Sequence, residues 1–369
     1  MLHRGDIVVI KFGSSTLVSE SGSAVNDANF SAIVRSIAQL HENGIKVVIV
    51  SSGAIALGRR QLEPLANKVD ITSKQVLATI GQHHLMALWS AAFSNISRIC
   101  GQVLVTKAEL SSRTANLNVR DTLYAMLHAG VVPIVNENDS VAVDEIRYGD
   151  NDSLAAQVAL AVGATGVVLW TDVQGLFTAN PRTDSDATLV TSLAAADIES
   201  FRSCVGGAGS RLGTGGMITK LEAASLAATG GIWTRIAGCV PLDELAAILS
   251  GDVESTLVIP NVALQDGRTR WILANAGDGR ISCNPGAADR INSNGASLLA
   301  VGVSMISGLF VRGDIVRIFS GDTHIATGIA RYDSGDLERI SGCRDTEIEL
   351  VLGYTAGPVV VHRDDMAIV

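Results

Sequence analysis

The feature that most restricts this chain is an alternation running through its first two-thirds. A β-branched apolar run is followed by a turn of small or polar residues and then by a helical pattern. The runs are IVVI (7–10), KVVIV (46–50), GQVLV (101–105), VVPIV (131–135) and GVVLW (166–170), with a weaker IWTRIA (232–237). Between several of them stand NFSAIVRSIAQLHENG, SKQVLATIGQHHLMALWSAAF, RDTLYAMLHAG and DSLAAQVALAVG, each closing near a Gly or a polar cluster that stops a helix. Strands apolar along their whole length and separated by helices predict an α/β fold, a largely parallel sheet sandwiched by helices.

At 369 residues the chain exceeds what one hydrophobic core usually serves, so two domains are expected. All six lysines fall at or before Lys220, while arginines continue to the end. From about Ala276 the pattern becomes short strand-like runs between turn signals: SLLAVGV, DIVRIF, THIATGIARY, EIELVLG and GPVVVHRDD. That predicts a small β-rich, barrel-like domain over 276–369 beside a larger one over 1–260, with the polar ALQDGRTRW (263–271) as the joint.

Composition excludes several classes. A hydrophobic share of 47% supplies a core and rules out a disordered chain. A net charge of -9 argues against a protein held mainly by attraction to a phosphate backbone, and residues 261–369, with ten Arg and no Lys against thirteen acidic residues, would grip a polyanion only weakly. Five scattered cysteines without a CxxC pair argue against a disulfide framework or a zinc site, and for a reducing compartment. The start, MLHRGDIVVIKFG, has only a short apolar run before Lys11, so no signal peptide is expected. Ser153 to Thr171 is uncharged and long enough to span a bilayer, yet Gly163, Ala164, Thr165 and Gly166 divide it into a helix and a buried strand. The expectation is a soluble cytoplasmic protein with no membrane partner.

In open α/β sheets the ligand crevice lies outside the carboxyl ends of the strands. Those ends here carry Lys11-Phe-Gly13-Ser14-Ser15, Ser51-Ser52-Gly53-Ala54, Asn136-Glu137-Asn138-Asp139 and Thr171-Asp172. Each alone has a plain structural account: a solvated strand end, a helix cap, a turn. Together they gather ammonium, hydroxyl, carboxamide and carboxylate groups on one edge, which favours a polar active site. Tyr148-Gly149-Asp150-Asn151-Asp152-Ser153 leads straight into LAAQVALAV, where Asp152 or Ser153 is expected to cap the helix. His83-His84 reads as packing or surface.

The loop Gly206 to Lys220, GGAGSRLGTGGMITK, runs into the helix LEAASLAA, the arrangement that holds phosphates on backbone amides. It is neither common phosphate fingerprint. Leu212 stands where GxGxxG needs glycine, and Thr219 stands where a P-loop needs glycine before its lysine. Lys11 and Lys220 would put two ammonium groups around a polyphosphate.

VVIKFGSS, VVIVSSGAIALG, SKQVLATIGQ, VVPIVNENDSVA, EIRYGDNDSLAA, LWTDVQGLFTANPR and GTGGMITK together resemble the glutamate 5-kinases of the amino acid kinase family, in order over roughly residues 6–240. The tail, with GASLLAVGV, GDIVRI and GYTAGPVVVHRDDM, is similar to a PUA domain. The resemblance implies the amino acid kinase fold and ATP-dependent phosphorylation of the γ-carboxylate of L-glutamate, the first step towards proline. It implies that Lys11 and Lys220 contact the transferred phosphoryl group and that Asp152 orients them. Ser52, Asp139 and Asn151 would hold glutamate; Thr171, Asp172 and Thr214, Gly215, Gly216, Met217, Ile218, Thr219 and Lys220 would hold ATP, with Lys11. Mg²⁺ would be carried mainly by the phosphates, proline would act as feedback inhibitor, and the chain would form a homo-oligomer. The usual GLYTADPR reads GLFTANPR here, a departure at Phe177 and Asn180 that bears on details of nucleotide contact and not on the reaction. Two alternatives are a kinase of another small carboxylic acid, such as aspartate or N-acetylglutamate, and an RNA-binding protein acting through the tail.

Overall fold

The computed structural model describes residues 2–18, 25–66, 68, 70–142, 151–181, 183–205 and 215–369. It divides into two compact units, Met1–Gln265 and Asp266–Val369. No helix among the described residues is long and apolar enough to cross a membrane.

The first unit is built on an eight-stranded sheet. Its strands are β1 (Ile7–Phe12), β2 (Lys46–Ser51), β3 (Cys100–Val105), β4 (Val132–Glu137), β5 (Gly166–Thr171), β6 (Ser192–Ala194), β7 (Trp233–Gly238) and β8 (Thr256–Ile259). Their order is β3-β4-β2-β1-β5-β7-β8-β6, with every pairing parallel except β7 with β8. All six apolar runs read from the sequence are strands of this sheet. The chain passes from β1 to its neighbours on one side and then to β5 on the other, so the order reverses about β1.

The alternation of side chains along β1 decides what reaches the site. Val8, Ile10 and Phe12 enter a core with α1 (Asp27–Glu42) and the far half of a 24-residue helix that begins at Ile71. Val9 and Lys11 must then face the opposite side of the sheet. The other main helices of this unit are α2 (Ala54–Gln61), α3 (Ile71–Ser94), α4 (Arg113–His128), α5 (Asp152–Val162) and α6 (Gly215–Thr229). α5 packs on β1 and β5 and touches α4 and α6, and apart from Ser153 all its residues are buried. A helix enclosed all round needs an uncharged sequence, which explains the membrane-like hydropathy of this stretch. Gly163, left-handed at φ +56°, ends it before β5.

The second unit holds β9 (Arg280–Cys283), β10 (Leu298–Leu299), β11 (Val303–Ser307), β12 (Ile315–Ser320), β13 (Thr323–Ala330) and β14 (Val359–Ile368), in the order β10-β14-β13-β12-β9-β11. β10 and β11 lie at opposite ends of that order, yet only Ala300–Gly302 joins them. A flat sheet could not be closed by three residues, so this one curls towards a barrel. The run EIELVLG, expected as a strand, is instead a helix, Asp345–Leu352. Ile348 is buried in this unit's core and Val351 and Leu352 pack against it, a helical spacing. The Arg344 N–H donates to the Glu347 carboxylate at 2.7 Å, and Gly353 at φ +80° supplies the stop. These end signals outweigh the alternation of E-I-E-L.

α2 and α3 cross at glycines. A Cβ on Gly81 would stand 1.7 Å from the Ala54 carbonyl oxygen, and one on Gly58 1.9 Å from that of Leu77. Backbone atoms cannot yield as a flexible side chain can. Gly81→Ala is therefore expected to lower the stability of the first unit by about 3 kcal/mol. Urea denaturation followed by tryptophan fluorescence reads this directly, and an unchanged midpoint contradicts the close crossing.

Candidate functional site

Lys11, projecting from β1 towards α5, meets the first residue of that helix. Its ammonium lies 2.6 Å from Asp152 Oδ1, and Lys220 Nζ from α6 lies 2.8 Å from Asp152 Oδ2. Asp152 is fully buried, and Lys11 and Lys220 are 6% and 8% exposed. Lys220 also donates to the Gly216 carbonyl at 3.3 Å. The Thr219 hydroxyl stands 3.2 Å from Asp152 Oδ2 and 3.0 Å from the Gly216 carbonyl, and its one proton serves one of the two.

Asp152 does not act as the expected helix cap. Asn151 occupies the cap position without a side-chain bond to the helix, and Asp152 is the first residue of the helix itself. The physical reason is competition: two ammonium groups bind a carboxylate more strongly than a backbone amide does. The helix N-terminus still favours this negative charge. Among the described residues, one carboxylate thus holds two ammonium groups in a nearly water-free place at the carboxyl edge of the sheet.

Asn151 begins a second set of contacts. Its Nδ2 donates to the Ser51 carbonyl at 3.2 Å and to Asn136 Oδ1 at 2.8 Å, and Asn136 Nδ2 donates to Gln82 Oε1 at 2.8 Å. The Ser51 hydroxyl accepts from Trp89 Nε1 at 3.0 Å and lies 3.3 Å from the Ser52 carbonyl. Ser52 is half-buried and its N–H donates to the Phe12 carbonyl at 3.1 Å, tying the end of β2 to the end of β1. The next residue, Gly53, is left-handed at φ +112° and starts α2 with no side-chain cap.

Asp139 lies in the wall of a cavity of about 280 Å³ that also includes Thr79, Gln82, Glu137, Asn138 and Ser140. His83 forms part of that wall too, so one of the two histidines read as packing or surface borders the site. Thr171 and Asp172 form a separate group at the end of β5. The Thr171 hydroxyl donates to Asp172 Oδ1 at 3.3 Å, and the Cys239 thiol donates to the Asp172 carbonyl at 2.8 Å. Gly215 and Gly216 open α6, Ile218 is half-buried in its first turn, and Met217 packs on a core that contains Leu176, Leu221 and Val258. Thr214, the preceding glycine-rich stretch from Gly206 and Asp150 lie outside the described residues.

Sequence reasoning missed Asn136 and Gln82 as members of the site. Asn136 was visible only as one letter of a polar turn, although it belongs to β4 and is buried. A buried carboxamide inside a strand was the available signal. Gln82 carried none beyond its polarity within an apolar helix.

Comparison with known proteins bears on the same residues. Residues 6–238 match the model of the amino acid kinase family, and residues 279–352 match the PUA domain. The glutamate 5-kinase of Citrobacter koseri is 42% identical over 360 residues, which is 97% of this chain and 98% of that protein. Those of Salmonella arizonae and Escherichia coli O1:K1 give the same identity and coverage. Among solved structures, a carbamate kinase from Giardia lamblia bound to AMP-PNP is similar at a TM-score of 0.54 and 17% identity, covering 70% of this chain and 99% of that one. At that identity the likeness speaks for the fold.

The buried charges make a stability prediction that is independent of any reaction. Asp152→Ala leaves two ammonium groups without their shared carboxylate and is expected to cost about 3–5 kcal/mol. Adding Lys11→Met should recover part of the loss. Urea denaturation of both variants checks this; a single variant as stable as the parent contradicts the geometry.

Proposed function

The chain belongs to the amino acid kinase family, with a PUA domain in its second unit, and we propose that it transfers the γ-phosphoryl group of ATP to the γ-carboxylate of L-glutamate. The product is L-glutamyl 5-phosphate, and the reaction opens the route to proline in the cytoplasm. The observation that carries this reading is 42% identity to glutamate 5-kinases over 97% of the chain. The Lys11–Asp152–Lys220 cluster supplies a chemistry that fits it.

In the transfer, a γ-carboxylate oxygen forms a bond to the γ-phosphorus as the bond from that phosphorus to the β-bridging oxygen breaks, and ADP leaves. Glutamate's carboxylate is already ionised near neutral pH, so no general base is needed. What the protein must supply is alignment and positive charge where negative charge moves. Lys11 and Lys220 meet that need from two directions, and Asp152 keeps them from collapsing onto the phosphates or drifting apart. Ser52, Asp139 and Asn151 hold glutamate; Thr171, Asp172 and the stretch Thr214–Lys220 hold the nucleotide. Both Asp152 oxygens already face ammonium groups, so a Mg²⁺ would come in on the triphosphate and be held mainly by phosphate oxygens. When bound, that ion neutralises phosphate charge.

Proline shares glutamate's α-carboxylate and charged amine and lacks the γ-carboxylate. It fits the polar turns around Ser52, Asp139 and Asn151 without engaging the lysines, and so competes with glutamate. The family resemblance also implies a homo-oligomer, which light scattering on the full chain reads.

Three outcomes are expected. ATP consumption should depend on L-glutamate, with the acyl phosphate trapped by hydroxylamine as the hydroxamate; consumption indifferent to glutamate contradicts the substrate. Lys11→Ala and Lys220→Ala should each lower kcat by ~10²–10³ while the protein stays folded. Proline titrated at several glutamate concentrations should raise the apparent KM for glutamate, and inhibition that is insensitive to glutamate excludes a shared site.

A further inference from the structure

The relay from Ser51 to Gln82 fixes the direction of every amide in it. Ser51 offers a backbone carbonyl, which can only accept, so the Asn151 atom facing it is Nδ2. That same nitrogen faces Asn136, whose near atom must be the oxygen. The nitrogen of Asn136 is then turned to Gln82, whose near atom must again be the oxygen. Gln82 Nε2 is what remains. It is buried, and among the described residues it has no hydrogen-bond partner.

A buried amide donor without an acceptor costs stability, and proteins rarely retain one without a use. Gln82 forms part of the wall of the cavity that contains Glu137, Asn138 and Asp139. A donor beside carboxylates suits the two ends of an α-amino acid, one a carboxylate and the other an ammonium. We propose that Gln82 is a specificity-determining residue that donates from Nε2 to the α-carboxylate of the amino acid substrate, while the acidic wall receives its ammonium group. The inference rests on the glutamate reading above and adds a residue and a polarity to it. Through Asn136 and Asn151 the same side chain is linked to the residue preceding Asp152, so a ligand that orients Gln82 also braces the start of α5.

The test is Gln82→Glu. A glutamate there still presents an oxygen to Asn136 Nδ2 and keeps the relay, but it replaces the free donor with an acceptor. KM for L-glutamate should rise about tenfold or more, with kcat and the KM for ATP within about threefold of the parent. The α-amide of L-glutamate, whose NH₂ can donate to the new carboxylate, should become the better substrate. The ratio of kcat/KM for glutamate to that for its α-amide should fall about 100-fold or more. A merely structural role for Gln82 would move both substrates together, and an unchanged ratio overturns the proposal. The unaltered protein gives a second reading: equal use of glutamate and its α-amide also overturns it. If the unaltered protein shows no glutamate-dependent ATP consumption at all, the reaction itself has been misassigned.

Discussion

One carboxylate held between two ammonium groups organises this molecule. Asp152 is wholly buried and takes Lys11 on one oxygen and Lys220 on the other. Removing three charges from water is expensive, and an apolar replacement of similar volume is often as stable or more so. Stability therefore does not account for keeping them. Holding positive charge ready, away from water, for the proposed phosphoryl transfer does account for them. Asp152 sets where the two ammonium groups sit.

The rest of the first unit follows from placing those three side chains. β1 presents Lys11 to one face because Val8, Ile10 and Phe12 are committed to the other. α5 has to begin at the edge of the sheet and then run buried across it, which requires an uncharged helix after its first residue. α6 brings Lys220 from a different part of the chain. At the adjoining end of the sheet, Asn151, Asn136 and Gln82 form a line of amides whose polarity is set by a single backbone carbonyl. The lysine cluster and the line of amides, proposed above for the phosphoryl group and the amino acid, are thus joined through two consecutive residues, Asn151 and Asp152.

Much of this was legible in the sequence because the relevant signals are local. Apolar β-branched runs announced six of the eight strands of the first sheet, and polar residues at their carboxyl ends announced the crevice. The partnership of Lys11, Asp152 and Lys220 was reached through family resemblance; spacing alone would have made Asp152 a helix cap. Its real partners lie 141 positions before and 68 after it, a distance no local pattern covers. Gln82 was missed for the same reason, since its role arises from a neighbour on β4. The segment EIELVLG misled in the opposite way: its alternation suggested a strand, while Glu347 at its start and Gly353 at its end make it a helix.

The most direct measurement on the central cluster is the single-turnover rate of ADP formation by Asp152→Asn with L-glutamate and ATP both saturating. The substitution keeps the shape and one accepting oxygen but removes the charge that positions the lysines. The account predicts that both substrates bind within about tenfold of the parent while the rate falls by ~10² or more. A rate near that of the parent would contradict it.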